Sequence, residues 1–178
     1  MTFHPLMRFL ILLVLASTDL HAAATQPAVI KQAGKFSSPG GTCLAALEPS
    51  EQGGFLVLTF PSGGNYKLLD VTGIAWASGN LLIYSASPLY GHPGIYSYSC
   101  GSRKIKRLVA PRTVNKAYPE GADYFELQRI SLTSPTTIYF YYAPDVDKEE
   151  FKNFRSASHL FEVHLDGTGF TKAQDLSQ

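Results

Sequence analysis

Charged side chains are scarce in this chain. Asp, Glu, Lys and Arg make up 16% of the 178 residues, against roughly a quarter in an average globular domain, and they balance to a net charge of +1. Binding along a phosphate backbone needs a clear cationic excess, so nucleic acid is not expected as a partner. Histidine and cysteine are also few, at five and two. A zinc site wants a recognisable cluster of Cys, His or carboxylate, and none stands out. His159 and His164 sit five apart around a strand pattern, which points them to opposite faces. No Gly-x-Ser-x-Gly elbow and no Gly-x-Gly-x-x-Gly cradle occurs. Asp145-Val-Asp-Lys-Glu-Glu150 lacks the glycine of a calcium loop and carries Lys148 within it, so it reads as a solvated loop. We therefore expect no metal, no cofactor and no enzymatic activity.

Long apolar runs are missing as well. The one run, Phe9–Ala16, follows Arg8 and precedes Ala22-Ala-Ala24. It is far short of the roughly 20 residues that span a bilayer, and the arrangement reads as a signal peptide over residues 1–24, cleaved before Thr25. The expectation is a periplasmic or secreted protein with no membrane span, its residues 25–178 forming a single domain. In an exported chain, the even cysteine count favours a disulfide between Cys43 and Cys100 over free thiols.

What the chain does have is aromatic strands: 10 Tyr and 11 Phe, residues whose flat rings suit a pleated surface. A four-strand pattern occurs twice. Gly73–Trp76, Leu81–Tyr84, Gly94–Tyr98 and Lys104–Leu108 are followed by Arg129–Leu132, Thr137–Phe140, His159–Val163 and Gly169–Ala173. Upstream, Cys43–Leu47, Phe55–Phe60 and Tyr66–Val71 form a divergent first unit. They are parted by the glycine-rich turns Glu51–Gly54 and Ser62–Asn65, and Val29–Phe36 offers a fourth strand. Ala110–Asp123 reads as a linker and Asp145–Arg155 as a short helix or an ordered loop. The fold class is all-β, with antiparallel four-stranded blade-like sheets in two to three units.

The units resemble the blades of TolB-like and WD40-like β-propellers. The resemblance rests on Ile74-Ala-Trp-Ala-Ser-Gly-Asn-Leu-Leu-Ile-Tyr84, on Gly94–Tyr98 with Lys104–Leu108, and on Leu160-Phe-Glu-Val-His-Leu-Asp-Gly-Thr-Gly-Phe170. It implies blade architecture, and by analogy an envelope assembly role, but no particular activity. A closed propeller needs about four to eight blades. This chain holds two to three, so it is expected to be an incomplete propeller. Its uncovered sheet surface leaves open compact packing, oligomerisation or use on a partner.

Binding follows from that geometry more naturally than catalysis. The leading expectation is a non-enzymatic protein-binding protein. In its most concrete form it is an inhibitor or immunity protein that blocks a secreted cell-wall-degrading effector, such as a type VI secretion amidase. Small periplasmic immunity proteins are similar in size and export signal. Loops enter clefts more readily than strands do. The expected contacts are therefore Ser87, Leu89, Tyr90 and His92 in one loop, and Asp145, Asp147, Phe151 and Phe154 in the other. The alternatives are an envelope structural component and a hydrolase whose Ser and His converge only in space. The basic set Arg103, Lys104, Lys106, Arg107, Arg112 and Lys116 has two readings: charges guarding an edge strand, or a cationic patch for an acidic partner. Alternation sends Lys104 and Lys106 to one face and Ile105 and Arg107 to the other.

Overall fold

The computed structural model describes residues 26–48, 54–86, 92–114, 123–143 and 159–174. Short runs of β-branched and aromatic residues between glycine turns form eleven strands. These are β1 (Gly34–Ser37), β2 (Leu44–Glu48), β3 (Gly54–Thr59), β4 (Asn65–Ser78), β5 (Leu81–Ala86), β6 (Gly94–Ser99), β7 (Lys104–Val109), β8 (Tyr124–Ser131), β9 (Thr137–Ala143), β10 (His159–His164) and β11 (Thr171–Lys172). A single helical turn, α1 (Pro111–Val114), lies in the stretch expected to be a linker. The first seven strands form one antiparallel meander, and the last four form a second sheet in the order β11-β10-β9-β8.

The seven-stranded sheet is not flat. Four strand spacings separate β2 from β6, which would put them about 19 Å apart in a flat sheet. Yet Cys43 and Cys100 are joined as a disulfide with their Cα atoms 6.0 Å apart. The fold-over happens within β4. Its first half, Asn65–Val71, pairs with β3, while its second half, Gly73–Ser78, pairs with β5. Asp70, buried and at φ 57°, marks the change of partner. Tyr66–Val71 and Gly73–Trp76 were expected as separate strands and are one. The expected Val29–Phe36 strand is in two pieces: Ile30 bridges to Ile74, and β1 takes up its end from Gly34 to Phe36.

The result is three four-stranded antiparallel layers stacked face to face. The first holds β1, β2, β3 and the first half of β4. The second holds the rest of β4 with β5, β6 and β7, and the third is β8–β11. Between the first two layers lie Ala45, Leu47, Leu56, Leu58 and Phe60 against Ile74, Leu82, Tyr84 and Tyr98. Between the second and third lie Ala75, Ile83, Ile95 and Val109 against Phe125, Leu127, Ile130, Ile138, Phe140 and Val163. The middle layer is therefore apolar on both faces. Neighbouring positions along one strand, such as Leu82 and Ile83, serve different cores.

Tight turns collect at one end of the stack. The β1–β2 turn meets the β4–β5 turn, where the Gly40 amide donates to the Gly79 carbonyl. The β3–β4 turn meets the β6–β7 turn, where Arg103 Nη2 donates to Ser62 Oγ at 2.7 Å. The third layer is joined to the second by side-chain hydrogen bonds. Ser85 is fully buried, and its Oγ accepts the Leu127 amide at 3.1 Å and contacts Thr72 Oγ1 at 2.6 Å. Thr72 Oγ1 in turn donates to the Phe125 carbonyl at 2.9 Å.

Candidate functional site

Strand direction decides what lies at the other end. Antiparallel meanders alternate their connections between two ends, and in the first two layers the turns at Gly40, Gly63, Gly79 and Gly101 take up one of them. Four longer connections leave from the opposite end. They depart from Glu48 towards Gly54, from Ala86 towards His92, from Val114 towards Asp123, and from Ala143 towards His159. Both loops expected to contact a partner are in this set. Ser87, Leu89 and Tyr90, with Asp145, Asp147, Phe151 and Phe154, lie outside the described residues. His92 is described and exposed at the base of the first loop.

That base is held by an aromatic ladder. Tyr84 and Tyr96, paired across β5 and β6, stack with ring centroids 5.0 Å apart and planes 8° from parallel. The Arg107 guanidinium lies over the Tyr96 ring at 5.7 Å. The Tyr96 hydroxyl donates to the His92 carbonyl at 2.6 Å, and Arg107 Nη2 donates to the Pro93 carbonyl. Residues 92 and 93 are thus tied to β6 and β7 by side chains. Gly94 admits the close crossing: a Cβ there would stand 2.4 Å from the Val109 carbonyl oxygen. Burial pushes the Tyr84 phenol far above its usual range, with Tyr96 and then Tyr66 adding to the effect.

The connections on the third layer start from a second anchored group. Tyr142 Oη donates to Asp123 Oδ1 at 3.3 Å, and both residues are buried. Tyr124 packs with Ala143 and Tyr141. Burial raises the Tyr124 phenol too, and the nearby Glu126 carboxylate adds to the shift. Lys31 pairs with Glu126, tying the lead-in chain to the third layer.

Elsewhere the structure sorts the remaining expectations. The expected disulfide is formed. His159 and His164 point to opposite faces of β10, because Phe161 and Val163 alternate with Leu160 and Glu162 between them. Among the described residues no three His, Cys, Asp or Glu side chains gather as metal ligands, and no helix is long and apolar enough to cross a membrane. Alternation along β7 holds: Arg107 lies on Tyr96, while Lys106 Nζ reaches the third layer and donates to the Asp166 carbonyl at 2.6 Å. Sequence reasoning did not single out Tyr84, Arg107, Asp123 or Tyr142 as supports of the loop end. The two-residue spacing of Tyr96 and Tyr98, which sends both rings to one face of β6, is the signal that the sequence carries. No protein-family model matches this chain, and no match was found among curated proteins.

Proposed function

We propose that this is a non-enzymatic, exported binding protein whose loop end engages a protein partner. Most concretely, it inhibits a secreted cell-wall-degrading effector by seating a loop in the effector's active site. One observation carries the reading: all four longer connections leave the same end of the scaffold, while the opposite end of the first two layers is closed by tight turns. Loops grouped on a rigid support are the usual site of recognition. The Tyr84–Tyr96–Arg107 ladder fixes the base of one loop, which lowers the entropy lost on binding.

The test replaces residues 87–91, and separately 145–155, with Gly-Ser segments of equal length. Each variant is compared with the parent in capture of a one-to-one partner from the cell envelope and in inhibition of that partner's cell-wall hydrolysis. At least one replacement should abolish both while leaving the melting temperature unchanged. Full inhibition by both variants refutes the reading. A second reading, envelope assembly through ring completion, is favoured by the outer face of the first layer. There Leu44, Ala46, Phe55 and Val57 are half-buried and Leu69 is 42% exposed. Light scattering of the purified protein separates the two, since ring completion requires a homo-oligomer.

A further inference from the structure

Two strand edges lie open along the outer rim of the first two layers. Among the described residues β7 is the last strand of its sheet, and Asn65–Leu68 of β4 pairs only with β3. The two edges are neighbours. Tyr66 of β4 stacks on Tyr98 at 5.8 Å, and Tyr98 stands opposite Ile105 of β7. Tyr66 and Ile105 are 42% and 39% exposed, so two of the largest exposed apolar side chains flank one buried ring.

The same rim is cationic. Asn65–Leu69 and Arg103–Val109 carry Lys67, Arg103, Lys104, Lys106 and Arg107 and no carboxylate. Arg103 is held over Phe60 at 4.3 Å and Lys67 over Phe55 at 3.9 Å, so two of these charges sit on aromatic supports. Asp166, on the β10–β11 turn, lies beside Lys106. Its carboxylate is engaged by the Thr168 amide and hydroxyl, and its carbonyl takes Lys106. Towards its far end β7 is approached by the β10–β11 turn, where Gly167 nears the Leu108 carbonyl. Among the described residues the open stretch is therefore Lys104–Lys106.

Lysines on an edge strand repel a second copy of the same strand. They do not by themselves require exposed apolar side chains beside them. We propose that this rim binds an extended acidic segment of a protein partner. The segment adds a short strand to β7, sets apolar side chains on Tyr66 and Ile105, and sets carboxylates against Lys104 and Lys106. An extended peptide is favoured over an anionic polysaccharide or nucleic acid, because only a peptide offers the amide and carbonyl pattern that an open strand edge lacks. This inference does not depend on the loop end being a binding site.

The test is fluorescence anisotropy of the intact purified protein with a labelled peptide of alternating Glu and Val. Three controls accompany it: the same peptide with prolines in place of the valines, an alternating Lys–Val peptide, and a single-stranded oligonucleotide. The Glu–Val peptide should bind at least roughly tenfold more tightly than every control. It should also slow amide exchange across Lys104–Lys106. Lys104→Glu with Lys106→Glu should weaken it about tenfold or more. Lys104→Ala with Lys106→Ala serves if the reversed pair fails to fold. Equal binding of the proline peptide or the oligonucleotide overturns the proposal, because charge alone then suffices. So does binding indifferent to Lys104 and Lys106, or no binding at all.

Discussion

Reducing the Cys43–Cys100 bond should cost this protein about 4 kcal/mol of stability. The two cysteines are 57 residues apart in sequence. Closing a loop of that size in the unfolded chain removes about 14 cal/mol/K of entropy, which is about 4 kcal/mol at room temperature. The folded state gains nothing back on reduction, because both side chains are buried between the first two layers and have no other role there. The assay is urea denaturation with and without a reductant, together with the Cys43→Ala, Cys100→Ala double variant. The midpoint should fall and the slope should rise slightly, since the unlinked chain exposes more surface when unfolded. In a melting experiment the same loss corresponds to a drop of roughly 8–16 °C. A loss under about 1 kcal/mol, or two thiols reactive in the folded, unreduced protein, would refute the folded-over sheet, because a flat sheet holds these residues far out of bonding range.

Two further predictions concern the middle layer. Ser85→Ala leaves the Leu127 amide, which donates to Ser85 Oγ at 3.1 Å, without its acceptor between the second and third layers. The variant should lose about 1–3 kcal/mol in urea denaturation, and a loss below about 0.5 kcal/mol would mean that the layers do not depend on this bond. The Tyr84 phenol is raised by burial above its ordinary value of 10.0. Because the folded pKa lies above the unfolded one, its contribution is fully present below about pH 10 and is lost as pH climbs further, when only the unfolded chain ionises. Stability should therefore fall above that pH, less steeply in Tyr84→Phe. Phenolate absorbance that rises in the folded protein with all tyrosines titrating together would contradict this.

The second unit was the most legible in sequence because it is the middle layer. Leu81-Leu-Ile-Tyr84 and Gly94–Tyr98 are apolar or aromatic nearly throughout, as strands buried on both faces must be. The continuity of β4 was hidden. Asp70, Thr72 and Gly73 read as punctuation, yet Asp70 takes a positive φ and lets the strand change partners without a turn. The start of β8 was hidden by a bulge: Phe125 and Leu127 face the core, then the register shifts and Ile130 takes the inward place, which breaks the alternation. The supports of the loop end were largely illegible. Tyr142 reaching Asp123, or Ser85 reaching Leu127, joins residues that no periodicity relates, and only the stacking of layers brings them together.

The two ends of the stack are held by different means, and this bears on the proposed binding role. At the turn end the first two layers are joined covalently at Cys43–Cys100 and by the Gly40–Gly79 and Arg103–Ser62 bonds. At the loop end the structure relies on stacked rings and buried hydroxyls: Tyr84 on Tyr96, Ser85 with Thr72, and Tyr142 with Asp123. A covalent link near a recognition surface would fix the layers but leave no room for the small adjustments that docking a side chain into a cleft demands. Placing that link at the far end keeps the scaffold's closure independent of the loops. The connections at the loop end can then differ in length and composition, as 49–53, 87–91, 115–122 and 144–158 do, at no cost to the three cores that carry the fold.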